Sequence, residues 1–190
     1  MLADFGPGDE LLDLRQVHGA AIDVVEAARA EDRPEADGIV TDRPGRTLMV
    51  QAADCVPVLL ADQTTGVIGA AHCGRLGVTV GVVPATVRAM RDLGADAITA
   101  WIGPHVCGAC YEVPAEMQAE VAGLVPETRA TTSWGTPSLD LGAGVRAQLE
   151  QQGVLVHDLS RCTRESPDLH SYRRDGADAG RLAGLIRRRR

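Results

Sequence analysis

Val56-Pro57-Val58-Leu59-Leu60-Ala61, then Asp62-Gln63-Thr64-Thr65-Gly66, then Val67-Ile68-Gly69-Ala70-Ala71: this run decides the fold. Two apolar strands flank a polar turn that carries a glycine, which is the pattern of a buried β-hairpin. Opposite residues of an antiparallel pair keep a constant sum of residue numbers. A turn centred on Gln63-Thr64 sets that sum at 63 + 64 = 127, and 55 + 72 = 127 as well. Cys55 and His72 are then expected as cross-strand neighbours at the open end of the hairpin, with Cβ atoms about 4.5–5.5 Å apart. Both stand where an apolar strand gives way to a polar or glycine-bearing stretch, Ala53-Asp54-Cys55 on one side and His72-Cys73-Gly74-Arg75 on the other.

Outward from the hairpin, further short β-type runs are Ile22–Val25, Gly38–Thr41, Leu48–Gln51, Ile98–Ile102 and Val154–Val156. Helical patterns fit Val82–Leu93, Pro114–Leu124 and Leu139–Gln152, the first closing at Gly94 and the last at Gly153, each in the position of a C′ glycine. Strands outnumber helices and several are consecutive, so the expected class is α+β with a mixed or antiparallel sheet flanked by helices. At 190 residues with 45% apolar content, residues 1–190 are expected to form a single domain with its own core.

Composition removes whole chemistries. The net charge of −7 argues against a nucleic-acid binder or a polybasic membrane-surface protein. All 19 basic residues are arginine, which excludes Schiff-base lysines, a Walker A loop and a kinase lysine. The first twenty residues, with Asp4, Asp9, Glu10 and Asp13, carry no basic and apolar leader pattern, and the apolar stretch Leu76–Val87 is too short and too interrupted to span a bilayer. The 5 cysteines form an odd set without a secretion signal, so reduced thiols in the cytoplasm are expected. The terminal Arg187–Arg190 reads as a solvated tail.

Three readings fit Cys55 beside His72. A thiolate and an imidazole are Zn²⁺ ligands, and a further histidine would leave a fourth tetrahedral position open. A histidine also lowers a thiol pKa and makes a nucleophile. The plainer alternative is an inert buried cysteine beside a hydrogen-bonded core histidine. Cys107-Gly108-Ala109-Cys110 has zinc-knuckle or redox spacing but lacks a second Cys/His pair, so turn packing is expected there. His157, between Val156 and Asp158, reads as structural; His105, just past Gly103-Pro104, and His170 stay open.

The ordered motifs Gln16-Val17-His18-Gly19, Ala36-Asp37-Gly38-Ile39-Val40-Thr41, Ala53-Asp54-Cys55-Val56-Pro57-Val58 and Gly69-Ala70-Ala71-His72 go further. With Ile102-Gly103-Pro104, Cys110-Tyr111-Glu112-Val113, Cys162-Thr163 and Ser171-Tyr172-Arg173-Arg174-Asp175-Gly176, they give a chain that resembles the YfiH-like family. That family was long labelled multicopper polyphenol oxidase or laccase, includes human FAMIN, and is now regarded as purine nucleoside phosphorylases. The resemblance implies a mixed-sheet sandwich, similar also to cysteine-histidine deamidating toxins. It implies a zinc site, with copper as the alternative metal, formed by His18, Cys55 and His72 as ligands and catalytic residues. It implies phosphorolysis of adenosine, inosine and methylthioadenosine to base and sugar 1-phosphate, together with adenosine deamination. Small-molecule nucleosides and phosphate are then the partners.

Arginine's planar fork suits phosphate, and the candidates for that role are Arg75, Arg173 and Arg174. Two departures from the family pattern stand out. The family arginine that follows the metal histidine is displaced by one position at Arg75, and the chain is short at the N-terminus, with only residues 1–15 before Gln16. The competing expectations are a metal-free Cys55–His72 hydrolase or amidase, a copper polyphenol oxidase, and an N-terminally truncated non-catalytic domain.

Overall fold

The computed structural model describes residues 8–27 and 33–188. Asp4, Arg189 and Arg190, named above, lie outside the described residues.

In chain order the elements are β1 (Glu10–Leu12), β2 (Ile22–Val24), β3 (Gly38–Thr41), β4 (Arg46–Ala52), β5 (Val56–Ala61), β6 (Ile68–Cys73), α1 (Arg75–Val80), α2 (Val82–Asp92) and β7 (Thr99–Ile102). There follow α3 (Ala115–Leu124), β8 (Arg129–Thr131), β9 (Pro137–Leu139), α4 (Leu141–Gln151), β10 (Leu155–Asp158), the single turn α5 (Tyr172–Asp175) and β11 (Leu182–Arg188). The central six-stranded sheet has the order β10-β7-β5-β6-β3-β2, and a three-stranded sheet has the order β1-β4-β11. Parallel pairing at β10/β7 and β2/β3 brackets antiparallel pairing between β7, β5, β6 and β3, so the sheet is mixed, as expected.

Period-two alternation sorts the side chains of the central strands onto two cores. Val56, Val58, Leu60, Val40 and Ala71 face α2 and α4, where they meet Val83, Val87, Met90, Val145 and Leu149. Ile39, Ile68, Ala70 and Leu59 face the three-stranded sheet and meet Leu48, Val50 and Ile186. The arrangement is a sandwich closed on one side by sheet and on the other by helices.

The hairpin forms, with a different register. Ala61 pairs with Ile68 and Pro57 with His72, giving a constant sum of 57 + 72 = 129. The cause is the turn. The Asp62 carboxylate accepts the N–H groups of Thr64 (2.8 Å) and Thr65 (3.2 Å), and Gly66 takes φ +74°, which moves the turn centre forward along the chain. Cys55 therefore sits two residues before His72's partner, on the same face, as a diagonal neighbour.

Several elements escape the periodic reading, among them α1, the β8–β9 hairpin and β11. Helix α1 consists of Arg-Leu-Gly-Val-Thr-Val, a sequence of low helix propensity; it folds because Gly74 and Gly77 allow close packing, a Cβ at Gly77 meeting the Gly19 carbonyl oxygen at 3.1 Å. The hairpin β8–β9 is too short to show a period. The arginine tail is corrected: Arg187 and Arg188 belong to β11, which pairs antiparallel with β4 from Leu182↔Ala52 to Arg188↔Arg46. Gly94 and Gly153 adopt φ +94° and +69° directly after α2 and α4, as their positions predicted. Among the described residues, no helix is long and apolar enough to cross a membrane.

Candidate metal centre

Three segments converge at the open end of the β5–β6 hairpin. The segment Gln16-Val17-His18-Gly19 is fixed first by Gln16, whose side chain both donates to the Gln51 carbonyl (2.7 Å) and accepts from the Gln51 N–H (2.8 Å), imitating one more strand partner of β4. Beyond it the backbone wraps a single carboxylate. Asp37 accepts the N–H groups of Val17 (3.2 Å), His18 (3.0 Å) and Gly19 (2.7 Å). His18 takes φ +62° to make this wrap, a left-handed conformation that its three neighbouring hydrogen bonds hold in place.

The same carboxylate holds the second histidine. Asp37 Oδ1 lies 2.8 Å from His72 Nδ1, so Nδ1 donates to the carboxylate and Nε2 is the ring nitrogen not engaged by it. Asp37 is fully buried; burial pushes its carboxyl up, but the bonds from His72 and from the Gly19 and His18 backbone outweigh that and leave it below its ordinary range. Cys55 enters from the bend before β5, aimed by the preceding Asp54 at φ +84°. The Asp54 carboxylate is held by the Thr163 hydroxyl (2.6 Å) and the Arg173 N–H (2.5 Å), and its carbonyl accepts the Val106 N–H (3.1 Å).

The ligand atoms of His18, Cys55 and His72 all lie within 4.8 Å of one another. Cys55 Sγ is 3.9 Å from His18 Nε2, and the two imidazoles meet edge to face with centroids 4.8 Å apart. Burial raises the Cys55 thiol, yet hydrogen bonds to and charge from His18 and His72 outweigh it and bring the pKa down to about 7. Burial lowers His72, while Asp37 and the Cys55 thiolate raise it further, to about 9. One thiolate and two imidazoles on a shared point form a donor set that fits Zn²⁺ with one coordination position left over. Gly74 is required there: a Cβ would come 2.5 Å from His18 Cδ2 and 3.3 Å from Cys55 Sγ.

The centre opens into a cleft of about 650 Å³ whose lining includes Arg15, Arg33, Arg173, Arg181, Tyr111 and Tyr172. Arg173 lines the cleft, lies over the Tyr111 ring at 4.9 Å and donates from Nη1 to the Glu112 carbonyl (3.1 Å). Arg75 reaches the Tyr111 hydroxyl from the start of α1 and does not line the cleft wall. Arg174 is turned away: its guanidinium donates to the carbonyls of Thr163, Ser166 and Leu169 and to the Asp175 carboxylate. His105 is buried with Nδ1 on the Gly103 carbonyl (2.9 Å), outside this cleft, and His157 stacks on Trp101 at 6.0 Å. His170 packs against the backbone of Gly180.

The residue that sequence reading passed over is Asp37. The motif Ala36-Asp37-Gly38 was visible, but its link to His18 and His72 is made only when β3 pairs with β6 and the chain from Gln16 folds over it.

Fold and centre together define a class: a mixed-sheet sandwich that presents a thiol and two imidazoles at a strand mouth beneath an arginine-lined cleft. The chain belongs to the family described as multi-copper polyphenol oxidoreductase laccase, whose model matches residues 2–189. It is 57% identical over 180 residues to a purine nucleoside phosphorylase of Streptomyces coelicolor, covering 91% of this chain and 73% of that protein. It is 54% identical over 178 residues to one of Streptomyces griseus, covering 91% of this chain and 72% of that protein. Among solved structures, the YfiH protein of Bacillus licheniformis superposes with a TM-score of 0.86 at 28% identity, over 97% of this chain and 77% of that one.

Proposed function

We propose that this chain is a metal-dependent purine nucleoside phosphorylase, with His18, Cys55 and His72 holding the cation. The observation that carries the reading is the convergence of those three side chains within 4.8 Å at the floor of an arginine-lined cleft, in a chain whose relatives are named for this activity. A cleft of about 650 Å³ lies in the range for a nucleoside-sized ligand. Zinc is the proposed ion, because phosphorolysis involves no change of oxidation state and the donor set suits it; copper accepts the same donors and is the alternative.

Phosphorolysis exchanges the C1′–N9 bond of a purine nucleoside for a C1′–O bond to phosphate. A cation held by His18, Cys55 and His72 would supply Lewis acidity to the reaction. The rest falls to the chain. Arg173, stacked on Tyr111 and tethered at its own N–H to Asp54, presents a preformed fork for a pair of phosphate oxygens. Asp37 keeps His72 in the tautomer whose Nε2 faces Cys55, and Asp54 keeps the thiol aimed. Adenosine, inosine and methylthioadenosine are the proposed substrates, and deamination of adenosine is a proposed side activity of the same centre.

The test is elemental analysis of the purified protein coupled to product detection from adenosine with and without phosphate. Phosphate-dependent release of adenine is expected, and Cys55→Ala is expected to lose both the cation held at this centre and that release. A Cys55→Ala variant that stays active without a cation refutes the metal reading.

One geometric observation favours a second reading. Cys55, His72 and Asp37 form a thiol, base and orienting carboxylate in series, as in cysteine hydrolases. A metal-free preparation that hydrolyses amides and dies on thiol alkylation would establish it in place of the first.

A further inference from the structure

The turn Cys107-Gly108-Ala109-Cys110 meets a second turn of the same spacing, Cys162-Thr163-Arg164-Glu165, from a distant part of the chain. The ligand atoms of Cys107, Cys110, Cys162 and Glu165 all lie within 4.8 Å of one another. We propose that these four residues form a second, structural site for a thiophilic divalent cation such as Zn²⁺, separate from the centre at Cys55.

Each turn contributes donors at positions i and i+3, the arrangement in which paired knuckles grip a tetrahedral ion. The first turn is closed by Cys110 N–H to the Cys107 carbonyl (2.9 Å), and the second by Ser166 N–H to the Cys162 carbonyl (3.1 Å). The two are held in register by a short ladder: His105 N–H donates to the Arg161 carbonyl (3.2 Å) and Thr163 N–H to the His105 carbonyl (3.0 Å). Backbone donors already point at sulfur. The Cys107 N–H lies 3.5 Å from Cys162 Sγ, and the Ala109 N–H donates to the Cys107 sulfur. Donation of this kind stabilises thiolate ligands.

Cys110 Sγ sits 3.4 Å from Glu165 Oε1, and all three cysteines are free thiols. Tetrahedral donors about 2.0–2.3 Å from one zinc ion stand roughly 3.3–3.8 Å apart, so closing the cluster needs side-chain movement of about 1 Å and no backbone rearrangement. Arg174 wraps the second turn through the carbonyls of Thr163, Arg164 and Ser166, placing positive charge beside a donor set rich in negative charge.

The location gives the site its use. Thr163, between two of the donors, donates to Asp54, which aims Cys55, and Val106, beside another, donates to the Asp54 carbonyl. A cation at the two turns would fasten the loops that form the back of the catalytic cleft.

The experiment is metal counting on the full chain, reloaded with Zn²⁺ after chelation, for the wild type and for Cys55→Ala. Cys55→Ala is expected to keep one zinc per chain, and its Co²⁺ form to show the intense near-ultraviolet charge transfer of several thiolates. Loss of that remaining ion when Cys162→Ser is added to Cys55→Ala, with the wild-type circular dichroism retained, would fix its place. A Cys55→Ala protein that binds no zinc overturns the proposal. So does a count of fewer than five free thiols in unreduced, denatured protein, which would make the sulfurs a disulfide. Failure of the nucleoside phosphorylase reading leaves both measurements intact, since neither depends on turnover.

Discussion

Replacing Asp37 by asparagine tests how one buried carboxylate organises the centre. Its Oδ1 accepts from the His18 N–H and His72 Nδ1, and its Oδ2 from the Val17 and Gly19 N–H groups, so all four partners are donors. Asparagine offers one acceptor oxygen and one donating amide. If the oxygen takes the Oδ1 place, the amide faces two backbone N–H groups and the His18 segment is pushed off. If it takes the other place, the amide faces His72, and the imidazole must give up its Nδ1 proton and carry it on Nε2, the atom needed for a ligand. In the first case two part-buried donors lose their acceptor and in the second one does, at about 1–3 kcal/mol each, so a loss of stability of about 1–4 kcal/mol is expected. Outer partners of metal-bound histidines affect metal affinity by about 10–100-fold, or about 1.4–2.8 kcal/mol. Zinc affinity measured by chelator competition, alongside thermal unfolding of the metal-free protein, reads both effects. An Asp37→Asn protein with unchanged zinc affinity refutes the claim that Asp37 sets the tautomer of His72.

Gly74→Ala places a methyl 2.5 Å from His18 Cδ2 at an ordinary φ of −77°, so the ring must move while the backbone stays; weaker zinc binding by at least about tenfold with near wild-type unfolding is expected from competition and melting experiments. Arg173→Met should raise KM for phosphate more than KM for the nucleoside in initial-rate assays, with lysine a poor rescue because it lacks the planar fork. Asp62→Ala should cost about 2–4 kcal/mol by chemical denaturation, since a fully buried carboxylate there accepts the N–H groups of Thr64, Thr65, Asp96 and Ala97. The bond from Asp96, opposed by burial and helped by the other three N–H groups, holds the Asp62 carboxyl at about 2, below its ordinary 3.8. Its contribution is therefore complete above the unfolded value and fades as pH falls through about 2; denaturation curves between pH 5 and pH 2 should show Asp62→Ala converging on the wild type.

Local signals carried the reading of the strands and of the three longer helices. Val56–Ala61 and Gly38–Thr41 were legible at both ends because a buried run bounded by polar or glycine residues needs no distant partner to declare itself. Helix α1 was not, because glycine and β-branched residues give it no intrinsic helical signal, and its reason for forming lies in contacts with Gly19 and α2. Strand β11 was hidden behind its arginines: the Arg187 and Arg188 that read as tail are strand residues opposite Thr47 and Arg46. The hairpin register turned on Asp62, whose carboxylate reorganises the turn, an effect no alternation pattern encodes.

By itself the sequence determined the chemistry available: thiols, imidazoles and arginines without a single lysine, and a hairpin that brings a cysteine and a histidine to one strand mouth. Which donors share a point was decided only in three dimensions. His18 joins the centre because Asp37, from another strand, gathers three backbone N–H groups and one imidazole onto one carboxylate. Glu165 joins Cys107, Cys110 and Cys162 because two turns far apart in the chain are laddered together. The physical reason is the same in both places. Side-chain type is a local property, whereas coordination and hydrogen bonding require atoms within a few ångströms, and only long-range pairing of the backbone supplies that distance.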